Sequence, residues 1–250
     1  MLERVLEPEV MDTAEEARDY DSMDHASVNA RFCDDLLRFA TFGGKPTLGQ
    51  MVPARVVDFG TGTALIPIAL AARASGFTIE GIDLSEHMLT LGRSNITRAG
   101  LEARVSLARV DAKGTAYEDG AFGATISNSI IHHIPEPVRC FAEMWRVTAK
   151  GGLLFVRDLH RPDDHTEVDR LVALYAGEPP GEPPGEPRGE PPADPARVAS
   201  FENQRVLFRA SLCAALTVRE VVAMVGPLGV PVSAVKMTSD RHWTLACVKQ

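Results

Sequence analysis

Chemistry in this chain is concentrated in polar residues placed at or just after short apolar runs. Asp58-Phe59-Gly60-Thr61-Gly62 follows Arg55-Val56-Val57, Asp83 follows Phe77–Ile82, and Asp111-Ala112 follows Arg104–Val110. Asn128 closes Ala124–Ser127, and His132-His133 stand four residues further on. Arg157 and Asp158 end the run from Leu153, with His160 and Arg161 beyond them. Two glycines in a tight turn let a ligand approach the backbone where a Cβ would intrude. A carboxylate at the end of the neighbouring strand can accept two adjacent hydroxyls in bidentate fashion. A histidine titrates in the range useful to a proton acceptor. The spacing also excludes one chemistry. A dinucleotide fingerprint would place a third glycine at position 65, where Leu65 would obstruct a pyrophosphate.

The elements that position these residues follow from periodicity. Arg55–Asp58, Phe77–Asp83, Arg104–Val110, Ala124–Asn128 and Leu153–Asp158 read as strands. They alternate with helices over about 64–75, after Ser85 and from Pro137 to about Ala149, with Thr63 and Ser85 as expected N-caps. Lys150-Gly151-Gly152 is expected to turn the chain into the fifth strand. Such alternation implies a parallel sheet covered on both faces, whose carboxyl edge carries the ligand site. Ahead of it, Ala14–Tyr20 can open a short helix. From His25 to Phe42 an amphipathic helix carries Val28, Phe32, Leu36, Leu37 and Phe39, and Gly43-Gly44-Lys45-Pro46 ends it. After the core, Arg197–Ala215 and Val218–Val225 read as helices, the second capped by Thr217. Val230–Met237 and Trp243–Val248 read as two strands joined by Thr238–His242.

Taken together, residues 54–158 resemble the class I S-adenosylmethionine (SAM)-dependent methyltransferases, in the type 11/25-like small-molecule group. Asp58-x-Gly60-x-Gly62 matches motif I, followed in the family's order by Asp83, Asp111, the His132-His133 segment and the Lys150-Gly151-Gly152 turn. The resemblance implies a Rossmann-like, doubly wound sheet of seven mainly parallel strands with an antiparallel last strand. It extends more weakly to a closing helix and hairpin at the C-terminus. It also implies a SAM site formed by Tyr20, Asp58, Gly60, Thr61, Gly62, Asp83, Leu84, Met88, Asp111, Ala112 and Asn128. Asp83 would hold the ribose, Asp111 the adenine amino group, and Tyr20 would lie on an N-terminal segment closing over the cofactor. Ala64 replaces a frequent third glycine. Asn128 replaces an aspartate, which argues against a carboxylate base or metal ligand there.

The catalytic set expected for methyl transfer is His132, His133, Arg157, Asp158, His160 and Arg241. Parallel strands four and five, and a final hairpin whose turn holds Arg241 and His242, should bring these groups to one pocket mouth. A histidine would take the acceptor's proton while Arg157 or Arg241 anchors it, so the acceptor is a small molecule, with an anionic one favoured. Two rivals stand beside this reading. A non-catalytic SAM-binding scaffold could use its proline-rich segment to recruit a partner. A nicotinamide-dependent oxidoreductase is disfavoured by Leu65 and by the lack of a Tyr-x-x-x-Lys pair.

Length allows one large domain or two small ones, and the resemblance implies a single methyltransferase domain over residues 1–250. This comprises an N-terminal helical lid (1–50), a SAM-binding core (54–158), a linker insertion (177–195), and cap helices with a closing hairpin (196–250). The net charge of −8 is uneven. Residues 1–24 hold nine acids against two bases and residues 177–195 five against one, while residues 196–250 hold seven bases against three acids. No basic run with interleaved aromatics suggests nucleic acid. No apolar run approaches a membrane span, and no signal peptide is evident, so a cytoplasmic location is expected. Cys33, Cys140, Cys213 and Cys247 lack metal-ligand spacing and read as free thiols, with no metal implied. The tetrapeptide Gly-Glu-Pro-Pro and its Gly-Glu-Pro-Arg variant repeat between Gly177 and Pro192, a composition that cannot build a core. Sequence leaves the acceptor, the attacked atom and the oligomeric state open.

Overall fold

Apolar residues at alternate positions in the strands decide which side of the sheet each group meets. In the computed structural model, which describes residues 2–8, 13–22, 26–41, 48–176 and 195–250, Val56 and Val57 of β1 (Arg55–Phe59) enter different buried clusters. The remaining strands are β2 (Thr78–Asp83), β3 (Val105–Arg109), β4 (Phe122–Asn128), β5 (Thr148–Leu159), β6 (Val235–Met237) and β7 (His242–Val248). They form one seven-stranded sheet in the order β3-β2-β1-β4-β5-β7-β6. β1 pairs in parallel with β2 and β4, β2 with β3, and β4 with β5. β7 runs antiparallel to both β5 and β6. This is the expected doubly wound, Rossmann-like arrangement.

The helices cover both faces. On one face lie α2 (Ala26–Thr41), α3 (Leu65–Arg73) and α4 (Glu86–Ala99), enclosing Phe32, Leu36, Leu70, Val56 and Phe155. Phe32 meets Phe155 edge-on, with centroids 5.3 Å apart. On the other face, α5 (Pro137–Val147) and α8 (Val218–Val225) pack with Val57, Phe59, Leu154 and Trp243. α1 (Ala14–Ser22) lies near α4, while α6 (His165–Tyr175) packs with α7 (Pro195–Ala214) in a smaller cluster that includes Leu2 and Leu159. Burial of each large apolar side chain in these layers contributes about 1.5–3 kcal/mol. Among the described residues, no helix is long and apolar enough to cross a membrane.

Several local expectations are corrected. Ala64, in the left-handed region at φ 64°, occupies the N-cap of α3, and no side chain caps it. The Thr63 hydroxyl is instead buried without a hydrogen-bond partner. Lys150-Gly151-Gly152 does not separate a helix from a strand. β5 already begins at Thr148, and Gly151 at φ 74° lies where the register with β4 shifts, as in a bulge. Val28 is exposed, not part of the buried stripe of α2, which is Phe32, Cys33, Leu36 and Ala40. β6 is only three residues long, and Val232–Ala234 before it forms a 3-10 turn. α6, capped by Asp164, has no counterpart in the sequence reading. The Gly43–Pro46 stop and the Gly-Glu-Pro-Pro insertion lie outside the described residues.

Candidate functional site

The turn after β1 folds sharply because Gly60 and Gly62 both have positive φ, 70° and 54°. They serve different ends. A Cβ on Gly60 would sit 2.4 Å from the Ile130 side chain, whereas one on Gly62 would find only the Tyr20 ring, at 3.7 Å. Gly60 is needed for packing, and Gly62 opens the turn towards the cavity. Gly62 N–H donates to Asp83 Oδ2 (2.9 Å) and Ser85 N–H to Asp83 Oδ1 (2.9 Å). Leu84 N–H is a third backbone donor, and the carboxylate, with about four lone-pair sites, still retains acceptor capacity. Burial pushes the Asp83 carboxyl up, against those N–H donors. Ser85 caps α4 by accepting from Met88 N–H, as expected.

These groups line a cavity open to solvent. Leu84, Met88, Asp111 and Ala112 form one side, and Asn128, Ile130 and His133 another. Asp111 Oδ1 is engaged by Lys113, through Nζ (3.0 Å) and the backbone N–H (2.8 Å). A smaller recess shares Tyr20, Gly60 and Asn128 with this cavity and adds Asp58 and Thr61. Asp58 is buried, and burial, reinforced by Asp83, raises its carboxyl to about 7. Burial likewise raises the Tyr20 phenol to about 12. All eleven residues expected to hold the cofactor therefore border one of two adjoining hollows.

The expected catalytic set is divided between the two faces of the sheet. Successive β5 residues point to opposite sides. Arg157 faces α2, donating to Asp35 Oδ2 (2.7 Å) and Thr244 Oγ1 (3.0 Å). Asp158 faces the other way, meeting His132 Nδ1 at 2.6 Å and accepting from Ile131 N–H at 2.6 Å. Arg157, Arg241 and His242 line a separate recess with Asp34, Asp35 and Tyr175. There Arg241 lies over the Tyr175 ring, 3.2 Å from its centroid, and His242 is driven down to about 4 by burial and Arg241. His160 forms a bridge to Leu216, and its N–H bonds Arg241 O. Of the six residues, only His133 borders the cavity beside Asp83. The carboxyl edge is as expected, but a single pocket mouth is not formed, because strand alternation separates Arg157 from Asp158.

One partner of the histidines had no signal in the sequence. Residues 2–8 form an extended strap beside α7: Val5 N–H bonds Cys213 O (3.1 Å). Arg4 donates to the carbonyls of Ala214, His132 and Ile134. The strap carries Glu7 to the histidine pair, with Oε1 3.6 Å from His132 Nε2 and 3.3 Å from His133 Nδ1. Burial opposes charge on His132, but Asp158 and then Glu7 outweigh it and raise the ring above its ordinary value. His133 goes the opposite way, to about 3, through burial and the neighbouring His132. An acid within a generally acidic N-terminus looks no different from its neighbours, so Glu7 could not be singled out.

Residues 57–156 match the family model described as a methyltransferase domain. Over those residues the chain is similar to a methyltransferase domain. Demethylmenaquinone methyltransferase of Bacteroides fragilis is 30% identical over 111 residues, 44% of this chain and 45% of that protein. Malonyl-[acyl-carrier protein] O-methyltransferase of Geobacter sulfurreducens is 33% identical over 137 residues, 55% of this chain and 47% of that one. The chain thus matches about half the length of these curated relatives. A SAM-dependent methyltransferase from Aquifex aeolicus superposes with a TM-score of 0.60 at 15% identity, over 94% of this chain and 97% of that one. That likeness establishes the fold alone.

The two hollows fit SAM, the cofactor that the resemblance implies. The Asp83 oxygens retain acceptor capacity, the Gly62 turn is open where a Cβ would stand, and Asp58 offers a carboxylate in the smaller recess.

Proposed function

We propose that the protein is a SAM-dependent methyltransferase acting on a small molecule. The observation that carries this reading is the Asp83 carboxylate, fixed by Gly62 N–H and Ser85 N–H on the wall of the cavity. Asp83 would hold the two ribose hydroxyls, with Leu84, Met88, Asp111 and Ala112 around the adenine. Asp58, Thr61 and Gly62 would receive the amino-acid end, with Asn128 and Tyr20 closing the junction. SAM supplies a methyl group on a sulfonium, so the protein has mainly to align the acceptor and exclude water. Tyr20, on α1, would shield the glycine turn from solvent. His133 borders the cavity and would hydrogen-bond the acceptor, while His132 and Asp158 are positioning residues behind it.

An anionic acceptor would meet Arg157 and Arg241 only across the second recess, where Asp35 already pairs with Arg157. The breadth of the relatives, from a demethylmenaquinone enzyme to a malonyl-carrier-protein enzyme, leaves charge undecided. Incubation with methyl-labelled SAM and a small-metabolite extract, read by mass spectrometry, tests the proposal. A labelled small product supports it. SAM binding without any such product would favour a non-catalytic SAM-binding protein, and absence of SAM binding would end both readings.

A further inference from the structure

Two ring nitrogens and one carboxylate oxygen converge where the N-terminal strap meets the 3-10 turn Ile131–His133. One ligand atom from each of Glu7, His132 and His133 lies within 4.8 Å of the other two. The Glu7 side chain is only 9% exposed, and its Oε1 has no hydrogen-bond partner although it stands between two imidazoles. A buried oxygen so placed costs free energy unless something shared with those rings satisfies it. In a tetrahedral site with bonds of ~2.05 Å, adjacent ligand atoms are ~3.3 Å apart. The Glu7–His133 and Glu7–His132 separations, 3.3 and 3.6 Å, already approach that edge.

The surroundings suit a cation as well. Asp158 Oδ1 meets His132 Nδ1 at 2.6 Å, so a ring that donates there leaves its Nε2 lone pair for Glu7's side. A carboxylate backing the far nitrogen of a ligating histidine is the usual support of a metal-bound imidazole. Asp158 brings a negative charge beside His132, and Glu7 adds a second carboxyl, to which Ser211 hydrogen-bonds. The Arg4 guanidinium opposes them in part but is turned to the carbonyls of Ala214, His132 and Ile134.

We propose that Glu7, His132 and His133 form a zinc site that pins the N-terminal strap to the wall of the cofactor cavity. Three protein ligands leave a fourth position of the ion for an oxygen ligand. Because His133 borders the cavity, an acceptor hydroxyl is the natural candidate for that position, and coordination would ease loss of its proton. This last role rests on the methyltransferase reading, whereas the metal site does not.

The test uses the full chain, stripped with a chelator and titrated with Zn²⁺ by calorimetry. Co²⁺ serves as the spectroscopic probe, and SAM affinity is measured separately on the metal-free protein. One ion per chain is expected, with Co²⁺ giving the intense visible bands of tetrahedral coordination. Glu7→Gln, which keeps the side-chain volume, and His133→Ala should each weaken binding about 100-fold or more. Asp158→Asn should weaken it about 10- to 100-fold through His132. Circular dichroism confirms that each variant is folded, and the Glu7→Gln result decides if a histidine variant is not. Substoichiometric uptake by the wild-type chain, or unchanged affinity in Glu7→Gln, would overturn the metal site. If SAM still binds in that case, the methyltransferase reading stands without it.

Discussion

Asp83 performs two tasks, holding the glycine turn through Gly62 N–H and offering its remaining lone pairs to a ligand. Losing hydrogen bonds to a charged group costs about 2–3 kcal/mol, so Asp83→Ala should raise the SAM Kd about 30- to 150-fold. Calorimetry would detect this, and unchanged affinity would remove Asp83 from the site. Asp58 gives a pH prediction. Its folded carboxyl, raised by burial to about 7 from an ordinary 3.8, binds its proton more tightly than in the unfolded chain. The stability it contributes is therefore full below pH about 4 and is lost as pH rises through about 7. Relative to Asp58→Asn, the cofactor-free wild type should lose on the order of 2–4 kcal/mol between those limits. Parallel denaturant titrations from pH 4 to 8 check the sign: no widening gap in favour of the variant would contradict it.

At the scale of elements, the N-terminal strap and the start of α8 have separate supports. Arg4 satisfies three carbonyls from α7 and the histidine segment. Arg4→Ala leaves those acceptors to water and should destabilise the protein by about 1–3 kcal/mol, with faster proteolysis of residues 2–8. Amide exchange at Val5 should rise with it, since its N–H bonds Cys213 O. Thr217 and Glu220 form a reciprocal capping box at α8. Thr217→Ala should cost ~1 kcal/mol without altering SAM affinity. A larger effect on the cofactor than on the melting temperature would show that α8 supports the site more directly than its position suggests.

Across the whole molecule, the sheet carries the site while the layers on both faces hold the sheet. Trp243 is fully buried against the α5 and α8 layer, and its register partner on β5 is Asp158. Trp243→Ala should cost about 3–5 kcal/mol. It should also disturb the His132–Asp158 contact, read as a loss of turnover at temperatures well below unfolding. The Gly-Glu-Pro-Pro repeat carries the opposite expectation. Its composition offers no core-forming side chains, so deletion of residues 178–192 should leave SAM affinity and melting temperature nearly unchanged. A fall of many degrees would show that the segment packs.

Local pattern determined the strand–helix alternation, and the family resemblance supplied the eleven residues that border the two hollows. Both rest on neighbours in the chain: an apolar period for the elements, and turn glycines with an acid at a strand end for the motifs that carry the resemblance. Pattern misjudged Thr63 because the left-handed Ala64 takes the cap, a backbone conformation that no side-chain preference announces. It also grouped Arg157 with Asp158, although alternation along β5 sends one to α2 and the other to His132. Tertiary structure alone decided the company of the histidines. Glu7 lies 125 and 126 positions away from them in the chain. It reaches them because Arg4 and Val5 fasten the strap to α7 and the neighbouring turn. A contact of that separation leaves no periodicity to read, since its energy comes from a surface that exists only once the sheet and α7 have packed.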